Sequence, residues 1–302
     1  MGGAGMKDGG RDLGRILVTG AQGFVGAALI GRLRSAEQDV KGTDLRSGNE
    51  PCDLTDYAQV DAVVRGGFQT IFHCGAVSGP MVLADQPLAI WRVNALGTAH
   101  VLEAARVHGT ARVVVCSTSE VYGTGLRGVD EVSPPDPPSV YGASKLAAEA
   151  ATLGYVREHG LDAVMVRLSW IYGPGRLTAT NLETVLRALI AGREAVFDAA
   201  PEDITHYLYI EDAVSGVIAA GCAAVLQDRL YNISAGNGVT VGSLADILRG
   251  LHPQARIRFG GEGLPGGGPL AISNHRAAVQ LGFEPAVSAG AGLDLYLRAL
   301  RG

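Results

Sequence analysis

Apolar positions in the first half of the chain fall into short, β-branched runs separated by longer stretches with helical spacing. Residues 16–19, 40–44, 70–74, 112–117 and 163–168 are each too short for a buried helix and read as strands. Between them the apolar spacing is three and four, as at Leu29, Ile30 and Leu33. Residues 88–108 read as one long helix and residues 139–159 as another. Such alternation predicts an α/β fold with a doubly wound parallel sheet. After Gly173-Pro174 the pattern loosens: helices are expected over residues 181–191, 210–225, 241–251 and 289–300, among short strands and Gly/Pro loops. Residues 260–269 are so rich in glycine that a plain loop is expected. The organisation that follows is a disordered leader at 1–14, a main domain at 15–172, and a smaller C-terminal α/β lobe at 173–302 with some segments returning to the main core.

Length agrees, since 302 residues suit one large α/β domain with an appended lobe. A net charge of −5 argues against a nucleic-acid or anionic-membrane surface. No apolar run is long enough to span a bilayer, and the Gly-rich, charged start lacks the apolar segment of a signal peptide. The four cysteines (Cys52, Cys74, Cys116, Cys222) form no Cys-x-x-Cys pair and read as small buried residues in a reducing cytoplasm. The histidines show no metal-ligand spacing, and no metal is expected.

Two local patterns carry chemistry. The first strand runs into Gly20-Ala21-Gln22-Gly23-Phe24-Val25-Gly26 and then a helix, the context of a dinucleotide turn. Gly20 suits the tight turn, Gly23 the approach of a pyrophosphate, and Gly26 close helix–strand packing, with the helix N-terminus facing the phosphates. Asp44, roughly twenty residues on, is placed to take both ribose hydroxyls, which favours NAD over NADP. Asp53-Leu54 suits the adenine ring, although Asp53 equally suits a cap on the next helix. The second pattern is Tyr141-Gly142-Ala143-Ser144-Lys145, which sets a phenol and an ammonium on one helix face. A free phenol titrates near about 10, and a fixed cation nearby is expected to lower that value and make Tyr141 a usable base.

With Phe72 to Ala76, Asn94 to Thr98, Ser117 to Gly123, and Arg167 to Pro174, these motifs resemble the extended short-chain dehydrogenase/reductases, the NAD-dependent epimerase/dehydratase family, along nearly the whole chain. The resemblance implies a Rossmann-like NAD-binding domain at 15–172 and a mainly substrate-binding lobe after it. It implies that Cys74, Gly75, Ala76, Asn94 and Ser117 frame the cofactor, with Asn94 in a buried support role. Thr118 would hydrogen-bond the reacting oxygen, Tyr141 would move its proton, and Lys145 would hold the nicotinamide ribose. Glu120 is either an acid/base or a hydrogen-bond acceptor behind the site. Dehydratases of the family carry Thr-Asp-Glu where this chain has Thr118-Ser119-Glu120, so water elimination is disfavoured. A homodimer is expected, pairing the helices at 88–108 and 139–159.

Departures from the family bear on the substrate. Nucleotide-sugar enzymes carry an Asn where Trp170 stands, an Arg where Thr205 stands, and a further Arg in the loop at 261–274. A diphosphate would be poorly compensated without them. The expected substrate is therefore a small, non-nucleotide sugar, sugar lactone or sugar acid, oxidised or reduced at a secondary hydroxyl or ketone. Ser78, Thr118, Ser119, Trp170, Arg176 and His206 are the candidate contacts. The alternative is a nucleotide-sugar 4-epimerase or decarboxylase with transient NAD reduction. A non-enzymatic sensor keeping the fold ranks behind both, because Thr118, Tyr141 and Lys145 are all present.

Overall fold

A computed structural model describes residues 10–46, 51–125, 128–261 and 269–302. The first half runs β1 (Ile16–Thr19), α1 (Phe24–Ser35), β2 (Val40–Thr43), α2 (Tyr57–Val64), β3 (Thr70–His73), α3 (Pro87–Trp91), a π-helical turn (Arg92–Leu96), α4 (Gly97–Val107) and β4 (Arg112–Thr118). A 3₁₀ turn (Ser119–Tyr122), α5 (Val140–His159), β5 (Ala163–Leu168) and β6 (Trp170–Tyr172) follow. The remainder is α6 (Asn181–Ile190), β7 (Ala195–Phe197), β8 (Ile204–Thr205), β9 (Tyr207–Tyr209), α7 (Ile210–Cys222), β10 (Leu230–Ile233), β11 (Val239–Thr240), α8 (Val241–Leu251), β12 (Ile257–Phe259), α9 (His275–Leu281) and α10 (Ala289–Arg301).

Six strands pair in parallel in the order β10-β5-β4-β3-β1-β2. The chain winds outward from β1 to β2, then returns to build β3, β4 and β5 on the other side. That reversal opens a crevice at the carboxyl ends of β1 and β3, where ligands bind in such sheets. The strands are apolar throughout because both faces are covered. Ile16 and Val18 join one core with Leu29, Phe72, Val114 and Val217, while Leu17 joins the other with Ile71, Val101, Val113 and Met165. The chain beyond residue 173 returns β10 to this sheet and α7 to its face. It also makes three two-stranded pairings: β6 with β9, β7 with β12, and β8 with β11.

Two expectations change. Order begins before residue 15: Leu13 is 2% exposed in the core, and the Arg11 N–H donates to the Cys222 carbonyl. The helix expected over 88–108 starts at Pro87 and is broken by the π turn at Arg92–Leu96, whose buried Asn94 spends its amide on neighbouring segments. Such a wide turn accommodates one extra residue, which apolar spacing alone does not reveal. The expected loop at 260–269 lies mostly outside the described residues.

Candidate active site

The glycine turn is a cradle that side chains would fill. Gly20 has φ +67°, and a Cβ there would lie 2.6 Å from the Gly75 backbone. A Cβ on Gly26 would meet the Gly20 carbonyl oxygen at 2.1 Å, so α1 can pack this close to β1 only without one. Gly23 caps α1 with no side-chain oxygen on the first N–H groups, which leaves the positive helix end to a ligand. At the tip of β2, Asp44 accepts from the Gln22 N–H at 3.1 Å and from the Arg46 N–H at 3.3 Å, so its carboxylate is fixed beside the turn. These features fit a dinucleotide: Gln22, Phe24 and Val25 would lie around the pyrophosphate, and Asp44 would meet the ribose. Asp53 accepts from the N–H and hydroxyl of Thr55, both at 2.8 Å, while the cap of α2 is Asp56, accepting from Ala58 and Gln59. The capping alternative for Asp53 is thereby excluded. Leu54 packs into the space that Gly75 and Gly97 leave open, and Ala76 follows Gly75 at the end of β3.

The floor of the cleft is a chain of buried hydrogen bonds that fixes a tautomer. Thr98 donates its hydroxyl to the Asn94 carbonyl at 2.6 Å, so it must accept from His73 Nε2 at 3.0 Å. His73 Nδ1 then accepts from Thr19 Oγ1 at 2.7 Å. Burial lowers the His73 pKa to about 3, aided by the Lys145 ammonium, so the ring is neutral.

The catalytic candidates converge at the end of β4 and the first turns of α5. Ser139 caps α5, accepting from the Gly142 N–H at 3.0 Å, and its hydroxyl donates to Glu120 Oε1. Tyr141, Lys145 and Thr118 are all buried, at 8%, 3% and 7% exposure. Thr118 caps the 3₁₀ turn through Glu120 N at 3.2 Å, and its hydroxyl acts on the Tyr141 phenol. Burial pushes the Tyr141 pKa above its usual value. Glu120 adds to that shift, while the hydroxyls of Thr118 and Ser78 and the Arg176 guanidinium oppose it. The acidification expected from Lys145 is not found: desolvation of the phenol dominates, and the opposing groups are Thr118, Ser78 and Arg176. Lys145 is itself held below its usual value by burial, against the pull of Cys116, Glu149 and Cys74. Burial likewise raises Glu120, with Ser139 opposing, so it keeps its proton to higher pH than a solvated carboxylate.

Two residues grouped with the cofactor contacts act inward instead. Asn94 accepts from Val77 N at 2.8 Å and donates to Val77 O and Ser144 Oγ, both at 3.0 Å, so it fastens the loop bearing Ser78 to α5. Ser117 donates to Glu149 at 2.5 Å, and Glu149 holds Arg167 through two bonds of 2.9 and 2.7 Å. This buried pair, with Arg167 4.6 Å over the Tyr122 ring, ties α5 to β4 and β5 directly behind Lys145. Sequence reasoning missed Glu149, although Tyr141, Lys145 and Glu149 repeat at intervals of four along one helix face.

On the substrate side the indole of Trp170 is 49% exposed and meets Tyr207 edge-on at 6.2 Å. Arg176 donates to the Ile171 carbonyl at 2.9 Å and lies 5.8 Å over Phe24, and its buried Nε has no partner among the described residues. It lowers both Tyr141 and Tyr207, which places it between the glycine turn and the aromatic wall. Ser119 and Thr205 are buried, and Thr205 donates to Val239 O at 3.1 Å. His206 is not a free contact: its ring is buried and spent on the Pro269 carbonyl, and burial lowers its pKa.

A doubly wound sheet whose glycine turn faces a buried Tyr–Lys–Thr cluster defines a nicotinamide-dependent enzyme. Residues 16–234 match the NAD dependent epimerase/dehydratase family. The chain belongs to that family and is NAD-dependent. It is 30% identical to the UDP-glucose 4-epimerase of Mycolicibacterium smegmatis over 92% of this chain and 96% of that one. It is 29% identical to the dTDP-glucose 4,6-dehydratase of Streptomyces niveus over 92% and 90%. Among solved structures, MoeE5 with UDP-glucuronic acid and NAD superposes with a TM-score of 0.82 at 26% identity, over 95% of this chain and 99% of that one. Among the described residues no helix is long and apolar enough to cross a membrane.

Proposed function

We propose that the protein moves a proton and two electrons at a secondary hydroxyl or ketone of a small sugar, sugar lactone or sugar acid. Bound NAD supplies the acceptor and donor of the two electrons. Gly20, Gly23, Gly26 and Asp44 hold the dinucleotide, and Lys145 anchors the part nearest Tyr141. Tyr141 gives its proton to the ketone oxygen or takes it from the hydroxyl, and the Thr118 and Ser78 hydroxyls favour its ionised form. Glu120 sits within reach of the same charge balance through Ser139. Arg176, whose Nε has no partner among the described residues, suits an acidic or hydroxyl-rich substrate.

One observation carries the choice of substrate. A half-exposed indole stands where nucleotide-sugar enzymes of the family present an amide to the diphosphate. A second reading, a nucleotide-sugar 4-epimerase, is favoured by the 30% identity to a UDP-glucose 4-epimerase. Elimination of water is disfavoured by Ser119 in place of the acid. Incubation with NAD and a panel of sugars, lactones, sugar acids, UDP-glucose and dTDP-glucose separates the readings. Accumulation of reduced cofactor with a free sugar supports the first, and conversion of a nucleotide sugar without accumulation overturns it in favour of the second.

We further propose a cytoplasmic homodimer. Leu88, Trp91 and Leu96 are exposed along the α3–α4 ridge, at 61%, 39% and 47%, and need a partner. Sedimentation of the purified chain tests this: a monomer throughout the micromolar range rules the dimer out.

A further inference from the structure

Cys74 and Cys116 sit side by side at the cofactor end of the sheet. His73 is in register with Val115 on β3 and β4, so the next residues of the two strands come opposite each other. The two sulfurs are 3.6 Å apart, and all four cysteines of the chain are free thiols. Neighbouring strands lie about 4.8 Å apart. A disulfide accepts Cα separations of about 4.4–6.8 Å, so this site is bridgeable by a sulfur approach of roughly 1.5 Å. Cys74 immediately precedes Gly75, which abuts the Gly20 turn, and is only half-buried. The pair is also chemically biased. Cys116 is held below its usual pKa by a hydrogen bond from Cys74 and by the Lys145 ammonium, against burial, and Cys74 is raised in turn. Two thiols of unequal acidity are therefore adjacent, the more acidic one beside a resolving thiol.

We propose that Cys74 and Cys116 are a modification site: a peroxide closes them into an intramolecular disulfide at the floor of the cleft, and bound NAD shields them. One sulfur takes an oxygen from hydrogen peroxide to become a sulfenic acid, releasing hydroxide. The second sulfur displaces that oxygen as water and forms the S–S bond. The two thiol protons appear in the two water molecules formed, and the two electrons lost by sulfur reduce the peroxide. Oxidation removes the ionisable thiol that Cys116 presents to Lys145, so it acts on the lysine as well as on the cleft.

The test uses the full chain, stripped of NAD or saturated with it, treated with hydrogen peroxide, denatured, and blocked with N-ethylmaleimide for intact-mass and peptide analysis. The expected result is two blocked thiols instead of four, a cross-linked peptide pair containing Cys74 and Cys116, and at least fivefold slower loss when NAD is bound. Cys74→Ser is expected to leave a dimedone-trappable sulfenic acid on Cys116 and no disulfide. Four blocked thiols, a link through Cys52 or Cys222, or a rate indifferent to NAD overturns the proposal. Should Cys74→Ser fail to fold, the cross-linked peptide of the unaltered chain still decides.

Discussion

Two walls of the cleft meet at Arg176, whose guanidinium lies 5.8 Å over Phe24 of the glycine turn and acts on both Tyr141 and Tyr207. They are assembled by different means. The wall of β1, α1 and β2 is made of backbone: positive φ at Gly20, a missing Cβ at Gly26, and a carboxylate bonded to main-chain N–H groups. The wall of β6 and β9 is made of side chains, with Trp170, Tyr172 and Tyr207 stacked edge to face. A backbone cradle tolerates few residue types, while a side-chain wall can be re-lined without disturbing its strands. In the proposed function the first wall holds the cofactor and the second selects the substrate.

The largest effect should separate the walls. Tyr141→Phe is expected to lower turnover by about 10²–10⁴-fold while NAD affinity changes less than twofold. Fluorescence titration alongside kinetics measures this, and a parallel loss of NAD binding means the phenol belongs to the cradle after all. Gly26→Ala attacks the backbone wall. Its Cβ would lie 2.1 Å from a main-chain oxygen, so overpacking should cost about 1–3 kcal/mol and weaken NAD binding at least tenfold. Calorimetry and titration check it, and an unchanged NAD affinity removes the argument for close helix–strand approach.

Acid should loosen the cradle through His73. Its folded value, about 3, lies below the ordinary 6.5, so the unfolded chain takes up the proton first as pH falls. Stability from this site is full above 6.5 and is lost progressively from there down toward 3. Between pH 7 and pH 5 the loss should be on the order of 2 kcal/mol. The acid-side fall of the melting temperature should flatten in His73→Gln, and an identical slope in that variant assigns the effect elsewhere. The smallest effect belongs to the side-chain wall. Trp170→Asn should shift kcat/KM toward UDP-glucose relative to a free sugar by roughly tenfold, about 1.4 kcal/mol, with NAD affinity unaltered.

The same contrast governs what the chain revealed as a sequence. β1 to β5 were legible because a strand buried on both faces is a short apolar run, and the dinucleotide turn because glycine spacing encodes backbone shape. Tyr141, Lys145 and Thr118 were legible from family-like order, and the structure brings them into one buried cluster. What failed depends on long-range pairing. The engagement of His206 with Pro269 joins residues 63 apart, and nothing in the local sequence around His206 reports it. The rise of the Tyr141 pKa needed burial, which no spacing reports. The two- and three-residue strands β6 to β9, β11 and β12 have too little periodicity to register.

The wide turn at Arg92–Leu96 joins α3 and α4 with one residue more than a regular helix needs, and Asn94 sits at that widening. Deleting a residue there would restore a regular helix and remove the widening that carries Asn94. The amide would then leave Val77, and the Ser78 loop would lose its fastening to α5. The irregularity works as a keyway: it locks the rotational setting of one rod to the seat of a loop, and a more regular helix in its place would be the worse part.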